Sequence, residues 1–221
     1  MKRIVKNSLF TAILMVWGMM YSSCEGWTDP ESINIHYPTF EEQNPQLYAD
    51  YIRDLKRYKD GEHKLVFVSF DNPETNPINQ TERLTAIPDS VDFICLNNPE
   101  KLSSETQAEM VKIREKNIRT LSCINYESLE QEWNNKAKDN SELTEEDAQR
   151  YLNERTDAML ALCDSYGYDG ILIDYTGLSM VGMQEDVLQQ YKARQQNFFS
   201  RVLDWRIKHT DKTLVFYGYV Q

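Results

Sequence analysis

The residues best suited to chemistry in this chain follow its predicted strands. Asp71 comes after the first strand and Asn97 after the second. Asn125 follows the third strand, and Asp174 ends the fourth. Because the carboxyl ends of parallel strands meet at one edge of a sheet, we expect these four side chains to share a rim. Carboxylates and amides hydrogen-bond well to sugar hydroxyls, but Asn and Asp are also common turn residues.

Two tyrosines stand near the same predicted rim. Tyr175 follows Asp174 directly, and Tyr217 lies near the end of the fifth strand. Amphipathic aromatic side chains often line sugar sites, but most of them serve as core. The sequence therefore leaves two roles open for each tyrosine, namely contact with a sugar or packing beneath the helices.

The elements that must position these residues alternate along the chain. Short apolar runs predict strands at residues 64–70, 91–96, 118–124, 170–175 and 213–219. Apolar residues at helical spacing, with capping signals, predict helices at residues 45–59, 103–116, 144–166 and 186–209. A short helix is predicted near residues 82–86, and the polar stretch 125–140 is predicted to be partly helical.

This alternation predicts an α/β fold with parallel strands and right-handed crossovers. Two architectures fit five strands: about the first five βα units of a (β/α)₈ TIM-type barrel, or a five-stranded doubly wound sheet. The first strand is followed by Asp71, Asn72 and Pro73 rather than by a glycine-rich phosphate loop. That loop sequence disfavours a nucleotide-binding sheet.

Residues 168–176 (YDGILIDYT) resemble the fourth-strand signature of glycoside hydrolase family 18, DGxDxDxE. The match covers Asp169, Gly170 and Asp174, although Asp169 is also readily explained as part of a structural Asp-Gly turn. The family includes chitinases and endo-β-N-acetylglucosaminidases. The resemblance implies a TIM barrel and a site for glycans that contain N-acetylglucosamine, with Asp174 as the carboxylate that orients the acetamido group.

The sequence departs from this signature at two acidic positions, where Leu172 and Thr176 stand. Thr176 occupies the place of the glutamate that protonates the leaving oxygen, and a threonine hydroxyl is too weakly acidic for that role. General acid catalysis accounts for roughly 10²–10⁴-fold in rate, so little turnover is expected without it. Glu127, just past the third strand, could be a displaced acid; the alternative is a solvated loop carboxylate.

Composition narrows the possible partners. The formal net charge is -11, and no basic cluster offsets it, which disfavours binding to nucleic acid. The three histidines and the acidic residues show no metal-ligand spacing, so no metal and no cofactor are predicted. Cys95, Cys123 and Cys163 lie among apolar residues and are predicted to be buried free thiols; a Cys95–Cys123 bridge is the alternative.

The N-terminus resembles a bacterial lipoprotein signal. A basic start is followed by the apolar run 9–20, and small residues precede Cys24. We therefore predict a signal peptide at 1–23, lipidation of Cys24, a tether at 24–44 and the barrel domain at 45–221; an ordinary signal peptide is the alternative. The lipid would anchor the protein in the outer membrane at the cell surface, and a glycan-uptake complex is a possible partner.

The predicted strand count is small for a barrel. A complete barrel takes about 250 residues, so we expect a truncated gene product, a sheet that closes differently, or a partner chain that completes it. The leading prediction is a cell-surface carbohydrate-binding pseudoenzyme of glycan utilisation. The alternatives are an active endo-acting hydrolase with a displaced acid, and a non-functional truncated product.

Overall fold

The computed structural model describes residues 38–138, 140 and 142–218. The chain divides into two compact units, residues 1–45 and residues 46–221. In the first unit, helix α1 (Phe40–Gln43) begins with a capping box in which Thr39 and Glu42 exchange hydrogen bonds. The predicted signal peptide and the lipidation site Cys24 lie outside the described residues.

The second unit alternates strands and helices. Its first helix, α2 (Pro45–Asp60), begins at the last residue of the first unit. The elements that follow are β1 (Phe67–Phe70), β2 (Phe93–Leu96), α3 (Ser104–Arg114), β3 (Arg119–Asn125), α4 (Tyr126–Lys138), α5 (Glu145–Ser165), β4 (Gly170–Tyr175), α6 (Glu185–Lys208) and β5 (Thr213–Gly218). Two turns of 3₁₀-helix, Gln80–Glu82 and Leu84–Ala86, replace the short helix expected near residues 82–86. Within the part of the chain that the structure describes, no helix is long and apolar enough to span a bilayer.

The five strands form one parallel sheet in the order β1-β2-β3-β4-β5. A doubly wound sheet must reverse its strand order at a switch point, and it carries helices on both faces. Here the order never reverses, so right-handed crossovers place the helices on one side of a curled sheet. The doubly wound alternative is therefore wrong, and the fold is a partial (β/α) barrel.

Alternate residues of each strand face two different apolar layers. The outer layer packs Ile94, Ile171 and Ile173 against the helices, and it is the larger core. The inner layer is a small cluster of Phe93, Cys95, Leu121 and Leu172, with Cys123 and Val215 packed against it. Because strand side chains alternate between faces, residues two positions beyond this inner cluster lie on the same inner face at the carboxyl ends of the strands.

Local signals account for most of the element boundaries. Ser103 caps α3, and Thr144 forms a capping box with Asp147 at the start of α5. Strand β4 spans the predicted residues 170–175. The main difference is α4, a full helix of 13 residues where only partial helix was expected. Its buried stripe is Tyr126, Leu129, Glu130 and Trp133, which the surrounding polar residues obscure in the sequence.

Candidate functional site

The inner face carries an amide–carboxylate pair where β3 and β4 end. Asn125 and Asp174 are register partners, and Asn125 Nδ2 donates to Asp174 Oδ2 at 2.7 Å. Asn125 Oδ1 accepts the Ser128 backbone N–H at 2.7 Å, which fixes the orientation of the amide. Among the described residues, Asp174 Oδ1 has no hydrogen-bond partner, and it remains able to accept a bond from a ligand.

A second polar set lies at the ends of β1 and β2. Ser69 Oγ donates to Asn97 Oδ1 at 3.0 Å, and Asn97 Nδ2 donates to Asp71 Oδ1 at 2.6 Å. All three side chains are exposed. Ser69 and Cys95 are register partners, so Ser69 shares a face with the inner cluster, and Asn97 and Asp71 extend that face to the rim.

The adjacent Asn72 and Asn98 instead hold two loops together. Asn72 is only 1% exposed. Its side chain donates to the Asn98 carbonyl at 2.9 Å and accepts the Asn98 backbone N–H at 3.0 Å. Asn98 Nδ2 donates in return to the Asn72 carbonyl at 2.8 Å. These asparagines tie the loops after β1 and β2 and so position Asp71 and Asn97.

The two tyrosines have different surroundings. Tyr217 is the register partner of Asp174 and is 69% exposed, two residues beyond Val215 of the inner layer. Tyr175 packs in the outer layer, with its ring 5.1 Å from that of Phe199. Its hydroxyl accepts a hydrogen bond from Gln195, and burial raises its pKa. The structure therefore places Tyr217 with the inner rim and Tyr175 beneath the helices.

The motif positions that depart from the family signature differ in exposure. Leu172 is 9% exposed and packs in the inner cluster against Phe93 and Leu121. Thr176 is exposed, two residues beyond Asp174. Neither side chain can supply a carboxylate, so Asp174 is the single acid of the signature at this end of β4.

Glu127 holds the loop that begins at Thr176. Its Oε1 accepts the backbone N–H groups of Thr176 at 2.8 Å and Gly177 at 2.6 Å. Gly177 has φ +73°, a conformation that suits glycine and turns the loop so that both N–H groups reach one oxygen. The hydroxyl of Tyr191 accepts the next backbone N–H, that of Leu178, at 2.5 Å. Glu127 is thus a loop-binding carboxylate, a role that sequence reasoning missed.

The other Glu127 oxygen has a different environment. Oε2 is buried and has no hydrogen-bond partner among the described residues. A buried, unpartnered carboxylate oxygen is energetically costly unless something satisfies it. Because Oε2 is unpartnered, Glu127 remains the candidate for a displaced catalytic acid.

The remaining motif residues serve the opposite end of the sheet. Asp169 accepts from Arg114 Nε at 2.8 Å, and its other oxygen accepts the backbone N–H of Thr120 at 2.8 Å. A Cβ on Gly170 would lie 2.1 Å from the Thr213 carbonyl oxygen, so only glycine lets β4 and β5 approach there. Of the three matched motif residues, Asp169 and Gly170 are structural, and Asp174 alone faces the rim.

A cavity of about 400 Å³ opens beside the inner rim, between the loop after β2 and helices α4 and α5. We call it the side groove. Asn97, Cys123 and Asn125 line its inner end. Cys95, Cys123 and Cys163 are free thiols, so the alternative Cys95–Cys123 bridge is wrong. Burial raises the pKa of the Cys123 thiol to about 12, which favours its protonated form.

The described residues contain no group of three or more histidine, cysteine or acidic side chains that could hold a metal ion. The side chains at the inner rim are hydrogen-bond donors and acceptors. The carboxylates, amides and exposed tyrosine ring suit a polar ligand with an apolar face. A sugar has both features.

Comparison with known proteins identifies the family and the fold. A model of the family described as glycoside hydrolase family 18, BT1044-like, matches residues 28–221. A selenomethionine glutamate-to-glutamine variant of BT1044 superposes with a TM-score of 0.51 at 18% identity, covering 81% of this chain and 58% of that one. The endo-beta-N-acetylglucosaminidase of Cordyceps militaris in its apo form gives 0.52 at 14% identity, covering 85% and 57%.

At these identities the two structures establish the fold alone. The chain spans less than two thirds of the length of either one. No curated protein matched the sequence. The family match covers most of the chain and agrees with the fourth-strand resemblance and with the parallel strand order. On these grounds the chain belongs to glycoside hydrolase family 18, in its BT1044-like group.

Proposed function

We propose that this chain binds glycans that contain N-acetylglucosamine at its inner rim and does not hydrolyse them. The observation that carries the proposal is Asp174, held by Asn125 with one oxygen free, beside the non-acidic Leu172 and Thr176. An acetamido N–H is a suitable donor for that free oxygen. Tyr217, its exposed register partner, offers a ring surface for the C–H face of a sugar.

The absence of turnover follows from the chemistry of the family. Its substrate supplies its own N-acetyl group as nucleophile, so the enzyme must supply an acid that protonates the leaving oxygen. Thr176 stands at that place and cannot give up a proton near neutral pH. Leu172 removes the second carboxylate that would share a proton with Asp174. Asp174 therefore acts as an acceptor that holds the acetamido group.

A hydrolase that uses Glu127 is the second candidate. Its carboxylate lies against the backbone of Thr176, next to the motif position of the acid, and its Oε2 is unpartnered. Its Oε1, however, already accepts two backbone N–H groups. A residue used in this way orders the loop, and freeing it for proton transfer would release that loop. Loop ordering is the function better supported by these contacts.

The proposal is tested by calorimetric titration of the full chain with chitooligosaccharides and high-mannose N-glycans. Binding to at least one of them, with no release of reducing ends after prolonged incubation, is the expected result. Absence of both heat and thermal shift with every glycan would overturn it. Release of reducing ends that Glu127→Gln abolishes, while leaving the melting temperature unchanged, would establish the second candidate instead.

We also propose that the protein is attached to the outer membrane through a lipid on Cys24 and presents its rim at the cell surface. The support is the N-terminal sequence: a basic start, a short apolar run and small residues before the cysteine. Mass spectrometry of the N-terminal peptide from membrane fractions tests this directly. An unmodified Cys24, or a peptide that retains residues 1–23, would contradict it.

A further inference from the structure

We propose that the side groove is a second saccharide subsite, selective for an uncharged sugar over an anionic one. The inference rests on the proposed function, because the groove would hold a further sugar of the same glycan that is bound at Asp174. Asn97 and Asn125 belong both to the inner rim and to the lining of the groove. When one sugar of a glycan is bound at Asp174, the next sugar of the same glycan would therefore lie at the mouth of the groove.

The size and floor of the groove suit a sugar ring. Its volume of about 400 Å³ is within the range typical of small-molecule sites. Leu129 and Met159 give it an apolar floor, against which the C–H face of a pyranose can pack. The Ser128 hydroxyl lines the same space and has no hydrogen-bond partner among the described residues, so it is available to a sugar hydroxyl.

The cations of the groove are already neutralised. Arg155 bridges two carboxylates, with its Nη2 2.6 Å from Glu100 Oε1 and its Nε 3.0 Å from Glu132 Oε2. Lys101 pairs with Glu74 at 2.8 Å. The lining thus has three carboxylates and two cations, and each cation is paired with at least one of the carboxylates. Asp71 and Asp174 at the adjoining rim add to the negative potential.

The walls are held in place before a ligand arrives. The hydroxyl of Tyr151 donates to Glu132 at 3.1 Å, and that of Tyr166 donates to the Glu100 carbonyl at 3.0 Å. These bonds connect the loop after β2 to α5 and fix α4 against it. Preorganised walls reduce the ordering cost of binding, and they also prevent Arg155 from turning toward an anion.

Three disaccharides that share the non-reducing N-acetylglucosamine and differ in the reducing-end sugar test the charge selectivity: chitobiose, the N-acetylglucosaminyl–N-acetylmuramic acid disaccharide, and the carboxamide of that disaccharide. The carboxamide controls for the bulk of the lactyl group. We expect chitobiose and the carboxamide to bind alike and the acid to bind about tenfold more weakly at low salt, since like charges at a few ångströms repel on that scale. Added salt should narrow the difference.

The double variant Glu100→Gln/Glu132→Gln provides the sharper measurement, because it leaves Arg155 uncompensated. The affinity for the acid should rise to that for chitobiose, while chitobiose binding stays unchanged. Equal affinities for acid and carboxamide in the original protein, or a double variant with an unchanged ratio, would overturn the inference. If none of the three ligands binds but high-mannose N-glycans do, the subsite is wrong and the proposed function survives.

A steric variant tests the location independently of charge. Ser128→Trp places a large ring in the groove from an exposed helical position, and Ser90→Trp is the matched control at an exposed site before β2. Ser128→Trp should remove the gain in affinity of chitobiose over N-acetylglucosamine, and Ser90→Trp should keep it. An undiminished gain in Ser128→Trp would place the second sugar elsewhere and overturn the subsite.

Discussion

The two ends of the sheet each carry a pair of aspartates, and the pairs are used differently. At the amino ends of the strands, Asp92 accepts from His63 Nε2 at 3.0 Å and from the Val66 backbone N–H at 2.8 Å. Asp169 accepts from Arg114 and from Thr120. Both oxygens of each carboxylate have partners there, and each carboxylate has a cationic or titratable neighbour.

At the carboxyl ends, Asp71 and Asp174 each accept a single amide hydrogen bond. In the described part of the chain, neither has a salt-bridge partner. The same residue type therefore stabilises the fold at one end and retains free acceptor capacity at the other. This division agrees with the general placement of binding and catalytic residues at the carboxyl ends of barrel strands.

The largest effect should come from removing a fully bonded carboxylate. Asp169→Ala leaves Arg114 and the Thr120 N–H without their acceptor, and we expect it to lower the free energy of unfolding by about 3 kcal/mol. Urea denaturation followed by circular dichroism measures this. The rim should be unaffected, so folded Asp169→Ala should keep its glycan affinity at low temperature. A stability loss below about 1 kcal/mol would show that the amino-end contacts are weak ones.

Asp174→Ala should show the reverse pattern. We expect a loss of about 2 kcal/mol in glycan binding, roughly 30-fold in Kd, because the acetamido N–H loses a charged acceptor. The free energy of unfolding should change by less than about 0.5 kcal/mol, as for a half-exposed side chain with one bond. Calorimetric titration and urea denaturation of the same preparation give both numbers. A large stability loss with unchanged binding would reverse the assignment of the two ends.

The pH dependence of the free energy of unfolding should come in part from His63, which contacts Asp92 at the amino ends of the strands. Hydrogen bonds to the Gly61 carbonyl and to Asp92 raise the pKa of His63. A raised pKa means that the folded state holds the proton more tightly, so this contribution is full below the ordinary histidine pKa and is lost as pH rises through the raised value. The melting temperature should therefore fall as the pH rises above the ordinary histidine pKa of about 6.5. In His63→Gln the fall should be smaller; an identical profile would exclude His63 as its source.

The smallest effect is expected at Asp71, the more exposed carboxylate of the rim. Asp71→Asn keeps an oxygen that can accept from Asn97 and removes only the charge. Glycan affinity should fall by about threefold, or about 0.7 kcal/mol, with no measurable change in stability. An effect as large as that of Asp174→Ala would mean that the ligand is centred on β1 and β2. Titration with the same glycan used for Asp174→Ala provides the comparison.

Much of the fold could be predicted because its signals are local. The capping residues Ser103 and Thr144, the alternation of apolar runs and the limits of β4 all depend on neighbours within a few residues. The sequence predicts only part of helix α4, because its apolar stripe is sparse and one of its buried positions is the acidic Glu130. Burial raises the pKa of that carboxyl, which the hydroxyl of Tyr126 also contacts. Only packing against α5 and α6 makes such a helix stable.

By itself, the sequence determined which chemical groups the fourth strand can offer: one carboxylate at Asp174, and no acid at positions 172 and 176. The tertiary structure decided what those groups meet. It packed Tyr175 against Phe199, placed the Glu127 carboxylate on the backbone of Thr176, and paired Arg155 with two glutamates. The physical reason is that a residue's type is a covalent property, whereas contacts between residues about 20 to 55 positions apart depend on strand register and helix packing.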